Sequence, residues 1–354
     1  GQEGSIPVEL GAANDWSLGF KLTQVIFNQS LMTGIELQKK LMDKSLLSLM
    51  KRENEVVFNI SQLYHLCLVM ESKISNTLQT LTNLEHVASI VSLRVQQSLS
   101  PKAELDRIGI DINSLKSIIL VMQEELRQQQ ELMKILIGYD RQKTLKLAKC
   151  DVNTGGQNQN KNEYSPLGNK HVFGTEKLIL EKDVALGELY LKSVKEQSLP
   201  TISAIVQHYY QGQRDDFDFF ESGDKKFYQA GFVGIGIHIP IFSGKQQIQK
   251  QKKAVASLEQ ARLNRDHVME MMELEKANIL SSMEIQEKIV EAYRDNLKKS
   301  EDVYQKYLAG YKQAIVSLTD LLLAQNNVAS IKNELEDQIL KNKILELQYE
   351  KLCK

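Results

Sequence analysis

The chain has 354 residues, 25% of them charged, and a formal net charge of −1, so it carries no global basic field of the kind nucleic acid selects. An aromatic content of 6% and only five prolines fit long helices better than a sandwich of short strands. The longest apolar run, around residues 118–122, falls far short of the roughly 18–20 residues of a membrane-spanning helix, so any crossing of a membrane must be made by a closed β-barrel.

Residues 16–27 read as a strand, with Leu18, Phe20 and Leu22 alternating against Ser17, Gly19, Lys21 and Thr23. From Gly34 no Gly or Pro appears until Pro101, so nothing stops a helix. An apolar seam in alternating steps of three and four runs from Leu46 and Leu49 through Leu63, Cys67, Ile74 and Leu84 to Val95. Thirteen of its fifteen positions are apolar, which is a coiled-coil pattern. A second seam runs from Leu105 to Leu136, so residues 28–140 read as a helical hairpin whose tip lies near 95–104. If continuously helical, residues 28–93 span about 100 Å, which suits a rod or tube and not a compact domain.

Residues 145–174, rich in Asn, Gln, Gly and Lys, read as a polar connector. Asp151–Gly156 weakly resembles a calcium loop, but Asn162 stands where a bidentate Glu is needed. A helix over 175–197 leads into a β-hairpin over 199–242, with one strand at 200–212, a polar loop at 213–226 and a second strand at 232–242. In that last strand Val233, Ile235, Ile237, Ile239 and Ile241 face one side, and Gly234, Gly236, His238 and Pro240 the other. The β-branched row suits lipid or a core, and the small polar row suits a barrel lumen, where Lys21 and His238 would project. Residues 245–354 form a second helical hairpin with its tip near 309–320. Its first helix carries a weaker seam, interrupted at Arg265 and Glu275, and its last a clear one from Leu321 to Leu345.

The two halves repeat. Gly19 aligns with Gly234 at an offset of 215, and Val95, Ser98, Pro101 and Glu104 align with Tyr311, Ala314, Ser317 and Asp320 at an offset of 216. A strand-to-tip distance kept to one residue marks an internal duplication of strand, long helix, turn and long helix. The first repeat spans 1–144 and the second 175–354; the helix and strand at 175–212 have no counterpart within the first, which places their counterparts ahead of Gly1 in a longer chain.

The segment Tyr311-Lys-Gln-Ala314-Ile-Val-Ser317-Leu-Thr-Asp320-Leu-Leu-Leu-Ala324-Gln325 resembles the second hairpin tip of the TolC-like outer-membrane efflux proteins, and Gly236-Ile-His238-Ile-Pro240-Ile-Phe242-Ser-Gly244 resembles their strand-to-helix junction. The resemblance implies an α+β membrane protein: a long antiparallel coiled-coil α-helical barrel, with strands contributed by each protomer to a homotrimeric twelve-stranded transmembrane β-barrel. It further implies a periplasmic adaptor and an inner-membrane pump as partners, residence in the outer membrane with extension into the periplasm, and passive conduction without a cofactor or enzymatic step. Val95, Ser98, Pro101, Gly310, Tyr311, Ala314 and Ser317 become adaptor-contacting tip residues, and the tip helices pivot near Gly310 and Pro101. Asp320 and Glu104 become the aperture carboxylates, because Leu323 stands where some members carry a second acid.

Simpler readings stand beside these. Asp320 with Ser317 is also a helix N-terminal cap, Cys67 is a small apolar filler, and His65, His86 and His267 stand alone without ligand spacing. The three cysteines form no CxxC pair or Cys/His cluster, and Gly234-x-Gly236 lacks the third glycine of a dinucleotide fingerprint. A soluble structural coiled-coil scaffold explains the helices equally well, though not the strands.

Overall fold

The computed structural model describes residues 11–148, 174–220 and 227–353; Cys150, the Asp151–Gly156 segment with Asn162, most of the polar connector and the end of the loop before Phe227 lie outside them. In chain order the elements are β1 (Asn14–Phe27), α1 (Gln29–Gln96), α2 (Lys102–Ile137), α3 (Thr175–Glu196), β2 (Thr201–Arg214), β3 (Tyr228–His238), α4 (Gln246–Lys312) and α5 (Leu318–Cys353). The chain contacts divide it across the repeats: the described residues up to Ser45 with Leu180–Arg265 form one unit, and those of Leu46–Ile179 with Asp266–Lys354 the other.

The first unit holds a three-stranded antiparallel sheet in the order β1-β2-β3. Directly opposed residues share a face, so the register places Leu18, Phe20 and Leu22 with Tyr210, His208 and Val206, and these with Val233, Ile235 and Ile237, on one side. One extra residue, Ile26, breaks the β1 register, so that Phe27 pairs with Ile202 and rejoins the apolar face. This face lies open: Leu18, Phe20, Leu22, Ile235 and Ile237 are all exposed, and Val233 retains 79% of its accessible surface. The other face carries Lys21, Gln207, Ser203, Thr201 and His238, but also Phe232, whose ring lies over Gly234. Gly19 faces Tyr209 so closely that a Cβ there would lie 2.4 Å from the tyrosine Cβ, which explains the glycine.

The last strand is shifted from the expected 232–242. It starts at Tyr228 and ends at His238, because Pro240 lacks an N–H for the ladder; Ile239, Ile241 and Phe242 follow as exposed extended chain. The turn into α4 uses left-handed Gly244 and Lys245. Helix α3 is held between the first turns of α1 and α4. Thr33, Ser30, Lys44 and Asp43 on α1 meet Glu196, Ser193, Asp183 and Lys182 on α3, while Arg262 on α4 pairs with Glu188 at 2.8 Å.

In the second unit α1 neighbours both α2 and α5, and α5 neighbours α4. Glu85 of α1 meets Lys116 of α2; Ser72, Lys73 and Thr80 of α1 meet Glu336, Asp337 and Gln325 of α5; and Gln286 of α4 donates to the side chain and backbone of Gln338 in a buried polar layer. The α1 seam is buried from Leu63 to Val91, yet Leu46 and Leu49 are each 56% exposed. Towards the apex α4 buries one narrow row, Ile279, Gln286, Val290, Ser300, Tyr304 and Tyr311, flanked by half-buried Met283, Ile289, Tyr293, Leu297 and Leu308.

Candidate functional site: the hairpin apex and the sheet faces

Both hairpin turns end their first helix in the same way. The Ser98 N–H donates to the Val95 carbonyl at 3.0 Å and the Leu99 N–H to the Arg94 carbonyl at 2.8 Å; the Ala314 N–H donates to Tyr311 at 3.0 Å and the Ile315 N–H to Gly310 at 2.9 Å. Each is a Schellman motif whose left-handed residue, Ser98 at φ 57 and Ala314 at φ 62, occupies a place that glycine takes without cost. The four pairs of equivalent atoms keep the 216-residue offset. Ala314→Gly therefore stabilises the second turn by about 1 kcal/mol, seen as a higher denaturation midpoint, while Ala314→Val lowers it.

The second turn leads into a capped helix: the Asp320 N–H donates to Ser317 Oγ at 3.1 Å, and the Ser317 hydroxyl donates to Asp320 Oδ2 at 2.7 Å. Ser317 is thus the N-cap of α5, its hydroxyl tied to the carboxylate, and that carboxylate sits at the positive end of the α5 dipole. The first turn lacks such a cap. Pro101 is the N-cap of α2 and offers no side-chain bond, and Glu104 is half-buried with Oε2 turned into the protein without a partner.

Between the two turns lies the apex core. Leu84, Val87, Val91, Ile108, Tyr304, Tyr311, Leu318, Leu321 and Leu322 form one buried cluster drawn from all four long helices, with Val95 and Leu105 packed against it. Arg94, which stands at the position of Gly310 in the other repeat, reaches across it. Its Nη1–H donates to the Tyr311 carbonyl at 3.0 Å and its guanidinium lies 4.8 Å from the Tyr311 ring centre. Burial pushes the Tyr311 hydroxyl pKa upward, against the pull of the Arg94 charge and with the push of Glu104. Gly310 in turn lets Val316 fold back onto α4, since a Cβ there would lie 2.6 Å from Val316 Cγ2.

The expected tip residues thus separate into two sets. Tyr311 is buried and Val95 half-buried, whereas Ser98, Pro101, Ala314, Ser317 and Asp320 are exposed. Two residues not singled out from the sequence, Leu99 and Ile315, project from the apex at 65% and 75% exposure in equivalent positions. The 216-residue offset links them, and extending the alignment by one residue past Ser98 finds them. On the sheet, Lys21 and His238 do share a face, Lys21 opposite Gln207 and His238 opposite Thr201.

No family model matches the sequence, and no curated protein matches it. Solved structures do. The outer-membrane channel OprN aligns over 96% of this chain and 81% of its own at 11% identity, with a TM-score of 0.76. The fold is that of the TolC-like outer-membrane channels. The outer-membrane protein VceC of Vibrio cholerae aligns at a TM-score of 0.72 over 95% of this chain and 85% of its own, with 12% identity. The Campylobacter jejuni outer-membrane channel CmeC aligns at 0.72 over 96% and 71%, with 13% identity. Identities this low carry the TolC-like fold and nothing about cargo.

Within this fold the described residues contain no helix long and apolar enough to cross a membrane and no cluster of potential metal ligands. Cys67 is fully buried in the α1 seam, and burial first, then the Glu71 charge, pushes its thiol up to about 11. A folded chain therefore leaves Cys67 unalkylated at neutral pH while half-buried Cys353 reacts, which peptide mass spectrometry after timed labelling reads directly.

Proposed function

We propose that this chain is the outer-membrane exit duct of a tripartite efflux or type I secretion system, conducting cargo passively while a partner supplies the energy. The observation that carries the reading is the sheet with one long apolar face left bare. Nine side chains on and beside it (Leu18, Phe20, Leu22, Phe27, Val233, Ile235, Ile237, Ile239 and Ile241) are exposed. Weighted by exposure they amount to about six fully bare side chains, and at roughly 2 kcal/mol each covering them yields on the order of 12 kcal/mol, as much as the roughly 5–15 kcal/mol that holds an ordinary domain folded. Lipid covers such a face; a soluble scaffold leaves it in water.

Three copies lay their sheets side by side and close a β-barrel. Both outer strands of the sheet support this, because neither β1 nor β3 has a second partner among the described strands. The same closure joins α2 of one copy to α4 of the next, where Ile110, Leu120 and Leu132 on one and Leu280, Ile285 and Val303 on the other are exposed. Lys21 and His238 then line the barrel lumen. Asp320 and Glu104, in threefold copies, form the aperture carboxylates. Leu99 and Ile315, beside Ser98, Pro101, Ala314 and Ser317, meet the periplasmic adaptor that links the duct to an inner-membrane pump. Opening swings the apex about Gly310 and Pro101.

Imaging of full-length protein extracted from membranes tests the reading. Threefold particles with a central channel and a detergent belt support it. Monodisperse monomers or dimers that need no detergent overturn it in favour of the coiled-coil scaffold.

A further inference from the structure

The described residues that follow β2, 215–220, are more than a polar connection. Trp16, the only tryptophan in the chain, lies on the apolar face opposite Gly212, two residues before Leu18. Against its ring pack Phe227 at 5.2 Å, Phe220 at 5.6 Å and Phe219 at 6.5 Å, and Phe217 stacks edge-on against Phe219. Arg214, on the same face, sets its guanidinium 5.2 Å and 5.4 Å from the rings of Phe219 and Phe227 and donates to the Asp218 carbonyl. Phe219 is buried by this arrangement, yet Phe217 and Phe220 are each 76% exposed.

Position along the strand says what these rings meet. Trp16 and Phe27 bracket the apolar row of β1. Eleven residue steps at about 3.3 Å make about 36 Å of strand, or about 28 Å along the barrel axis at roughly 40° of tilt, close to the ~25 Å apolar band of a barrel wall. Trp16 therefore stands at one edge of that band, at the end of the sheet away from α1 and α4. Rings with an apolar body and an Arg with a long stem suit the headgroup boundary, where one side is hydrocarbon and the other water.

We infer that Trp16, Arg214, Phe217, Phe219, Phe220 and Phe227 form a membrane-docking rim that seats the loop end of the sheet in the lipid headgroup zone of the outer leaflet. The inference rests on the barrel reading above and adds a partner, lipid, for a loop.

The single tryptophan is its own probe. The full-length protein is reconstituted in phosphatidylcholine–phosphatidylglycerol vesicles whose acyl chains are brominated either near the headgroup or near the bilayer midplane. A second sample carries Ile235→Trp in a Trp16→Phe background, which moves the reporter to the middle of the apolar face. The rim predicts that Trp16 loses most of its emission to the shallow label and little to the deep one, that Ile235→Trp shows the opposite order, and that Phe217→Ser with Phe220→Ser weakens the shallow quenching of Trp16. Trp16 untouched by both labels, or quenched most by the deep one, while Ile235→Trp is quenched by the deep label, overturns the rim and leaves the barrel standing. No quenching of either reporter overturns both.

Discussion

Ile235→Arg abolishes assembly in the outer membrane, whereas Ser203→Arg leaves it intact. Ile235 stands opposite Ala204 in the β2–β3 ladder, in the middle of the exposed apolar row. Ser203 lies one residue away on the other face, between Val25 and Gly236. An arginine on the lipid face near the midplane costs about 2–4 kcal/mol per copy. Repeated in three copies, that is about 6–12 kcal/mol, of the same order as the whole stability of a folded domain. An arginine on the lumen face meets water and costs little. The measurement is the amount of heat-resistant oligomer in detergent extracts of outer membranes, resolved by electrophoresis with and without boiling. Equal loss in both variants means the two faces are not distinguished by lipid, and the barrel reading fails.

Much of this arrangement is legible in the sequence because it is periodic. The strand faces follow from alternation, the hairpins from steps of three and four, and the offset of 216 residues aligns both turns, Ser98 with Ala314, the pair that the structure shows to be left-handed. What the sequence hides is whatever depends on partners distant along the chain. Leu46 and Leu49 have the same seam spacing as Leu63 and Cys67, but only the latter are buried; α2 is 36 residues long against the 68 of α1 and cannot cover all of it. Ile26 looks like one more strand residue until the ladder with β2 shows that it is the extra one. Phe217, Phe219 and Phe220 sit among aspartates, so the segment reads as a polar loop, and only Trp16, about two hundred positions earlier, gathers them. Arg94 reads as an ordinary charge near a helix end, since nothing local announces Tyr311 across the apex.

Tyr311→Ala loosens the apex selectively, and Tyr311→Phe does not. The ring is buried among residues from all four long helices, so its loss leaves a cavity that costs about 3–5 kcal/mol. The Arg94 guanidinium also loses the aromatic face beneath it, worth about 0.5–1 kcal/mol or more where desolvated. Phenylalanine keeps both the volume and the face. The damage centres on the second turn, whose Ile315 and Val316 N–H groups are held on the Gly310 carbonyl. Their hydrogen exchange accelerates by roughly two to three orders of magnitude in Tyr311→Ala, while the amides of β2 are unchanged. If the apex is the closed end of a duct, the same variant also raises conductance in planar bilayers, because the free energy that held the turns together no longer opposes opening. Faster exchange without a rise in conductance places the constriction elsewhere; unchanged exchange means that Tyr311 does not hold the apex together.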